Sequence, residues 1–139
     1  MTDRQAFIDS LREVDASVDV DALVHLAWAP ADRSNWNEGH EANVRMTANA
    51  FDAALDGGVN RVVVASSAHV VGIYNRDDGA DMESTVADPT DTVDTESAVR
   101  PGSFYGDAKA AVEGLAVYSV ERYDTEILVV RIGWLITAE

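Results

Sequence analysis

Arg61-Val62-Val63-Val64-Ala65-Ser66 decides the fold. Four consecutive apolar residues, three of them β-branched, follow directly on Gly57-Gly58 and the turn behind it. An unbroken apolar run of this length reads as a strand covered on both faces, the pattern of a parallel sheet. Upstream, Glu41 to about Asp56 places Val44, Thr47, Ala48, Phe51, Ala54 and Leu55 at helical spacing, and Gly57-Gly58 supplies the stop. Residues 31–38 read as loop. Before them, Ala22-Leu-Val-His-Leu-Ala-Trp28 is a second apolar run that ends at Pro30. Asp3 to about Val14 carries Phe7, Ile8, Leu11 and Val14 on one face, with Thr2 or Asp3 as cap, and reads as a first helix.

Downstream, Ser67 to Pro101 is loop-like, rich in acids and threonines, a length that is usually functional or disordered. Ser103 to about Tyr123 reads as a long helix, and Glu126-Ile-Leu-Val-Val-Arg-Ile132 as a third buried strand. The order α-β-α-β-loop-α-β implies a parallel sheet with right-handed crossovers. The chain has 139 residues, room for one domain.

Composition narrows the class. The formal charge is −15, from 25 acids against 10 lysines and arginines. That balance repels nucleic acid and anionic membrane. No apolar run reaches the roughly 18 residues of a membrane span, and the start lacks a signal-peptide pattern, so the expected location is cytoplasmic. There is no cysteine, hence no disulfide framework or thiolate metal site. His25, His40 and His69 are dispersed and no metal is expected. His25 reads as a core histidine and His40 as a surface one, and Asp77, Asp78 and Asp81 as a solvated loop. Dense carboxylate with a single lysine is similar to the composition of halophilic archaeal proteins, in which salt screens the self-repulsion.

That single lysine stands in Tyr105-Gly106-Asp107-Ala108-Lys109. Residues four apart share a helix face, so phenol and ammonium can meet over one site. Ligands of open parallel sheets bind beyond the carboxyl ends of the strands, here Leu26-Ala27-Trp28, Ser66-Ser67 and Ile132-Gly133. Tyrosine titrates near about 10, and a cation within ~4–6 Å lowers that by roughly 1–3 units. Tyr105 can then serve as an acid/base, with the hydroxyl of Ser67 aligning a substrate oxygen. Taken alone, Tyr-x-x-x-Lys is a common helix-surface pair. The strand-end serines and the lone lysine favour the chemical reading.

The ordered set Val20-Asp-Ala-Leu-Val-His-Leu-Ala27, then Asn43, Thr47 and Asn49, then Arg61–Ser67, Tyr105-x-x-x-Lys109 and Val130-Arg-Ile-Gly133 resembles the extended short-chain dehydrogenases/reductases, the NAD-dependent epimerase/dehydratase group. Within that group, Ser66-Ser-Ala-His-Val-Val-Gly-Ile-Tyr74 looks most like hexuronate dehydrogenases and the NAD-dependent glucose-6-phosphate dehydrogenases of halophilic archaea. The resemblance implies an α/β fold, a partial Rossmann-like three-layer sandwich with a parallel sheet of about three strands. It implies a sugar oxidoreductase or epimerase using NAD, with NADP left open. Catalysis would fall to Ser67, Tyr105 and Lys109. Cofactor contacts would come from Leu26, Ala27, Trp28, Asn43, Ser66, Tyr105, Lys109, Ile132 and Gly133. The family usually has a small residue where Trp28 stands. A sugar substrate would meet Ser67, and His69 and Tyr74 are further candidates, although His69 reads equally as loop structure. A homodimer would form through helices 41–56 and 103–123.

The resemblance also implies a missing part. Such proteins open with a strand, a Gly-x-x-Gly-x-x-Gly turn and a helix that receives the pyrophosphate. The nine glycines here form no such turn. The expectation is a single partial NAD(P)-binding domain, with bare sheet faces and an exposed strand edge at 22–28. Two readings stay open: an incompletely encoded sugar dehydrogenase or epimerase, and a non-catalytic remnant or interaction module that keeps the helical interface.

Overall fold

The computed structural model describes residues 3–15, 20–30, 34–75 and 93–133. They form helix α1 (Arg4–Asp15), strand β1 (Leu23–His25), helix α2 (Trp36–Asp56), strand β2 (Arg61–Ser67), a 3₁₀ segment η1 (Ala68–Asn75), helix α3 (Phe104–Arg122) and strand β3 (Glu126–Ile132). The sheet is parallel in the order β1-β2-β3. β2 is the middle strand, with Val63 opposite Val24 on one side and Leu128 on the other.

Each helix starts for a local reason. The Asp3 carboxylate accepts from the Ala6 N–H at 3.1 Å and caps α1. Ser103 caps α3 through the Gly106 N–H at 3.1 Å. α2 begins five residues before the expected Glu41, with no side-chain cap at Asn35. Its first turn is held by ring contacts: the Trp36 ring meets that of His40 edge-on at 4.6 Å and that of Phe104 at a tilt at 5.1 Å. At its other end Gly58 takes a φ of 75°, where glycine carries no Cβ penalty.

The core lies between the sheet and one helical layer. Ile8 and Leu11 of α1, Phe51, Ala53 and Ala54 of α2, and Val112 and Ala116 of α3 pack with Val59, Val62 and Val64. Leu23, Ile127 and Val129 join that cluster from the flanking strands. The opposite face of the sheet presents Val24, Leu128, Val130 and Ile132 to solvent, with Leu128 60% exposed. The described residues therefore form the sheet and one helical layer of the expected sandwich. The bare face agrees with the uncovered sheet faces expected of a partial domain: the apolar runs of β1 and β3 are covered on one face. Among the described strands β2 alone has partners on both edges.

Two further differences have local causes. β1 is three residues long where seven were expected: among the described residues β2 is its one strand partner, and the chain beyond His25 bonds to α2 instead. The start of the long loop is η1, kinked at Val71. Its Ala-His-Val-Val-Gly-Ile-Tyr sequence has no helical period. It is shaped by close packing on α3, and the Arg100 N–H also returns to the Val70 carbonyl at 2.8 Å. The acidic positions Asp77, Asp78 and Asp81 lie outside the described residues.

Gly106 permits that packing. A Cβ built there would fall 2.3 Å from the His69 carbonyl oxygen and 2.9 Å from its carbon. Both are backbone atoms, so relief requires α3 and η1 to move apart. Gly106→Ala is expected to destabilise the chain by about 1–3 kcal/mol, the usual range for overpacking. Denaturant unfolding checks this, and an unchanged midpoint would contradict the close approach.

Candidate active site

α3 runs past the carboxyl end of β2 and bonds to it at two places. Lys109 Nζ donates to the Ala65 carbonyl at 2.6 Å. One turn on, Glu113 Oε1 accepts from the Ser66 hydroxyl at 2.6 Å. Glu113 also holds Arg131 of β3 in a two-pronged ion pair, Nε to Oε1 at 3.0 Å and the second nitrogen to Oε2 at 2.8 Å. Ser66 and Arg131 are register partners, so one carboxylate ties α3, β2 and β3 together beneath the rim. The sequence reading missed this group. A signal was present: Arg131 is charged within an otherwise apolar strand core, and such a charge needs a partner.

Above this lattice lies a cleft of about 340 Å³. Ser67, His69, Tyr105 and Lys109 line it with Leu26, Trp28 and the small residues of the strand ends. The Tyr105 ring stands edge-on between two others, 5.3 Å from Trp28 at 82° and 5.4 Å from His69 at 80°. Tyr105 is 37% exposed, whereas Lys109 is 5% exposed. Lys109 Nζ lies 3.9 Å from the Trp28 ring centroid and 5.8 Å from that of Tyr105. Ser67 Oγ accepts from the His69 N–H at 3.2 Å, which leaves the hydroxyl proton of Ser67 for another acceptor.

Charge and burial set the electrostatics. Burial pushes the Lys109 ammonium down from 10.5 to about 8. His25, buried behind the cleft, is also pushed down, first by burial and then by the charge of Lys109. The Thr47 hydroxyl donates to the Asn43 carbonyl at 3.0 Å, so it must accept from His25 Nε2–H at 3.1 Å. That assigns the Nε2–H tautomer and leaves Nδ1 a buried acceptor without a hydrogen-bond partner.

The sequence-chosen residues divide clearly. Leu26, Trp28, Ser66, Ser67, His69, Tyr105, Lys109, Ile132 and Gly133 meet at the cleft. Ala27 is half-buried and outside the lining. Asn43 is buried in α2 behind the cleft. Its amide accepts from the Ala29 N–H at 2.7 Å and donates to the Ala29 carbonyl at 2.9 Å. In this structure it holds the segment after β1 and is not among the lining residues. Tyr74 falls at the end of η1, and its side chain lies outside the described residues. His40 is half-buried against Trp36, its Nδ1 3.8 Å from the Asp107 carboxylate, which makes it less of a surface residue than expected.

Residues 1–138 match the model of the NAD dependent epimerase/dehydratase family. The L-arabinose 1-dehydrogenase (NAD(P)(+)) of Haloferax volcanii is 39% identical over 119 residues, 86% of this chain and 46% of that enzyme. The crystal structure of a glucuronic acid dehydrogenase from Chromohalobacter salexigens superposes with a TM-score of 0.69 at 32% identity, covering 96% of this chain and 42% of that one. A short-chain dehydrogenase/reductase superfamily protein from Agrobacterium tumefaciens, solved with bound NAD, superposes with a TM-score of 0.70 at 26% identity, covering 94% of this chain and 34% of that one. The chain thus spans less than half the length of these relatives. It belongs to the NAD dependent epimerase/dehydratase family.

Two outcomes test the geometry. The unfolded chain holds the lysine proton up to 10.5, whereas the folded chain gives it up from about 8. Between those values the unfolded state binds more protons, so stability rises with pH. Wild type is expected to gain stability relative to Lys109→Met from pH 8 to 10.5. Parallel urea midpoints across that window would contradict the burial of the ammonium. Glu113→Ala strands Arg131 and Ser66 and is expected to cost about 3 kcal/mol. Glu113→Gln retains acceptors for both and should cost clearly less; equal losses would deny the carboxylate its bridging role.

Proposed function

We propose that this member of the family supplies the nicotinamide end of a dinucleotide site together with the acid/base residues of a sugar oxidoreductase. The observation that carries this reading is the convergence of Ser67, Tyr105 and a buried Lys109 on one cleft at the carboxyl ends of the strands. The cleft has a largely apolar floor, a single ammonium and a volume suited to one part of a dinucleotide. Lys109, Ser66 and the backbone at Ile132-Gly133 would hold the nicotinamide half. Among the described residues no glycine-rich turn opens a helix, so they offer no pyrophosphate cradle. We read the chain as one partial NAD(P)-binding domain, with both NAD and NADP admitted.

The chemistry of the chain's own groups follows from their positions. Tyr105 Oη, on a part-exposed residue of the cleft lining, takes the proton of a sugar hydroxyl as general base. The Lys109 ammonium stands one helical turn away, its Nζ 5.8 Å from the Tyr105 ring centroid. Ser67 donates its free hydroxyl proton to the substrate oxygen and orients it. His69, facing Tyr105 across the cleft, is placed to contact the sugar, and Tyr74 stays a sequence-level candidate for the same role. The oxidised nicotinamide, when bound, supplies the hydride acceptor. The names of the relatives point to the sugar class: an aldose, as in the L-arabinose 1-dehydrogenase, or a uronic acid, as in the glucuronic acid dehydrogenase.

A second reading rests on a different surface. α3 turns Val117, Tyr118 and Val120 to solvent, with Tyr123 exposed just after its end, while its other face is in the core. A helix apolar on two sides suits docking of a second copy through α2 and α3. In this reading the chain acts as a dimerising module. No described helix is long and apolar enough to cross a membrane. The acidic composition supports a cytoplasmic protein of a salt-rich cell, as does the Haloferax relative.

Sugar-dependent NAD(P)H formation at 340 nm tests the acid/base assignment. Tyr105→Phe is expected to reduce turnover by about 10²–10⁴-fold with folding intact. Turnover retained in that variant would overturn it.

A further inference from the structure

Trp28 occupies a position in the cleft that the proposed chemistry does not use. Its indole face lies 3.9 Å from Lys109 Nζ, well inside the ~6 Å reach of a cation–π contact. Its ring also meets Tyr105 edge to face, with centroids 5.3 Å apart at 82°, the favoured geometry for an aromatic pair. One side chain therefore touches both members of the Tyr-x-x-x-Lys pair. The next residue, Ala29, has both backbone groups bonded to the buried Asn43 amide, and Trp28 itself packs on the core. The indole is thus held from behind and does not merely rest on the cleft.

We propose that Trp28 is the positioning residue of this site: its face presses the Lys109 ammonium against the Ala65 carbonyl, and its ring fixes the tilt of Tyr105. The proposal rests on the cleft being the reactive site, but the contact it describes exists before any ligand arrives. The arithmetic of the ammonium gives it a consequence. Of three N–H donors, one is taken by Ala65 and one faces the indole, so one remains for a ligand. Trp28 thereby limits Lys109 to a single hydrogen bond to a ligand hydroxyl and leaves Tyr105 with its exposed edge toward the cleft.

The lone lysine makes the test clean. With ¹³C-lysine incorporated into the 139-residue chain, the ε-methylene spectrum contains one signal. In the ligand-free wild type that signal is expected upfield of free lysine, displaced by the ring current of the indole, with nuclear Overhauser contacts to its protons. Trp28→Leu should return it toward the free-lysine position, and Trp28→Phe, which keeps an aromatic face, should restore part of the displacement. A Trp28 that only filled the core, away from the ammonium, would leave the wild-type lysine signal at the free-lysine position, with no Overhauser contact to the indole. An unshifted signal in the folded wild type, or one unmoved by Trp28→Leu, overturns the proposal. If Trp28→Leu does not fold, the wild-type shift and its Overhauser contacts decide alone. None of these readouts involves cofactor or turnover, so failure here is distinct from failure of the dehydrogenase reading.

Discussion

Two hydrogen bonds one helical turn apart hold this structure to its shape. Lys109 reaches the carbonyl of Ala65, and Glu113 takes the hydroxyl of Ser66. Lys109 and Glu113 are four apart on one face of α3, and their partners Ala65 and Ser66 are adjacent on β2. Because Glu113 also grips Arg131, β3 is drawn into the same tie. The end of β2 cannot shift without breaking buried polar contacts, each costly to leave unmade. The rim inherits that rigidity: Tyr105, Ser67 and Lys109 stand on elements that cannot slide past one another.

Much of this was legible in the sequence. β3 and the start of α3 emerged at their residues because an apolar run and a Ser cap are local signals. The convergence at the cleft was legible from topology, since parallel strands present their carboxyl ends to one rim. What escaped is tertiary in origin. η1 is shaped by packing on Gly106. The early start of α2 depends on Trp36 meeting Phe104, from a helix almost seventy residues away in sequence. Asn43 was expected among the cofactor contacts, yet it lies outside the cleft lining and its amide serves the backbone of Ala29, a pairing that spacing does not encode. The exposed face of β3 agrees with the bare sheet faces that the resemblance implied, although an apolar run by itself is silent about what covers it.

The surface carries two opposed features. Acidic groups dominate the composition, with −15 formal charges to distribute. At the same time the sheet turns Val24, Leu128, Val130 and Ile132 outward, and α3 adds Val117 and Tyr118. Self-repulsion keeps such chains apart at low ionic strength, whereas screening by salt lets apolar surfaces associate. The same screening weakens repulsion of an anionic dinucleotide. Salt is therefore a variable of the site as well as of the fold.

The account stands most directly on whether the cleft takes the cofactor. Calorimetric titration of the 139-residue chain with NAD in multimolar KCl measures that. The account predicts saturable heat with defined stoichiometry in the wild type and its loss in Lys109→Ala. A folded wild-type chain that gives no heat with NAD or NADP would contradict it.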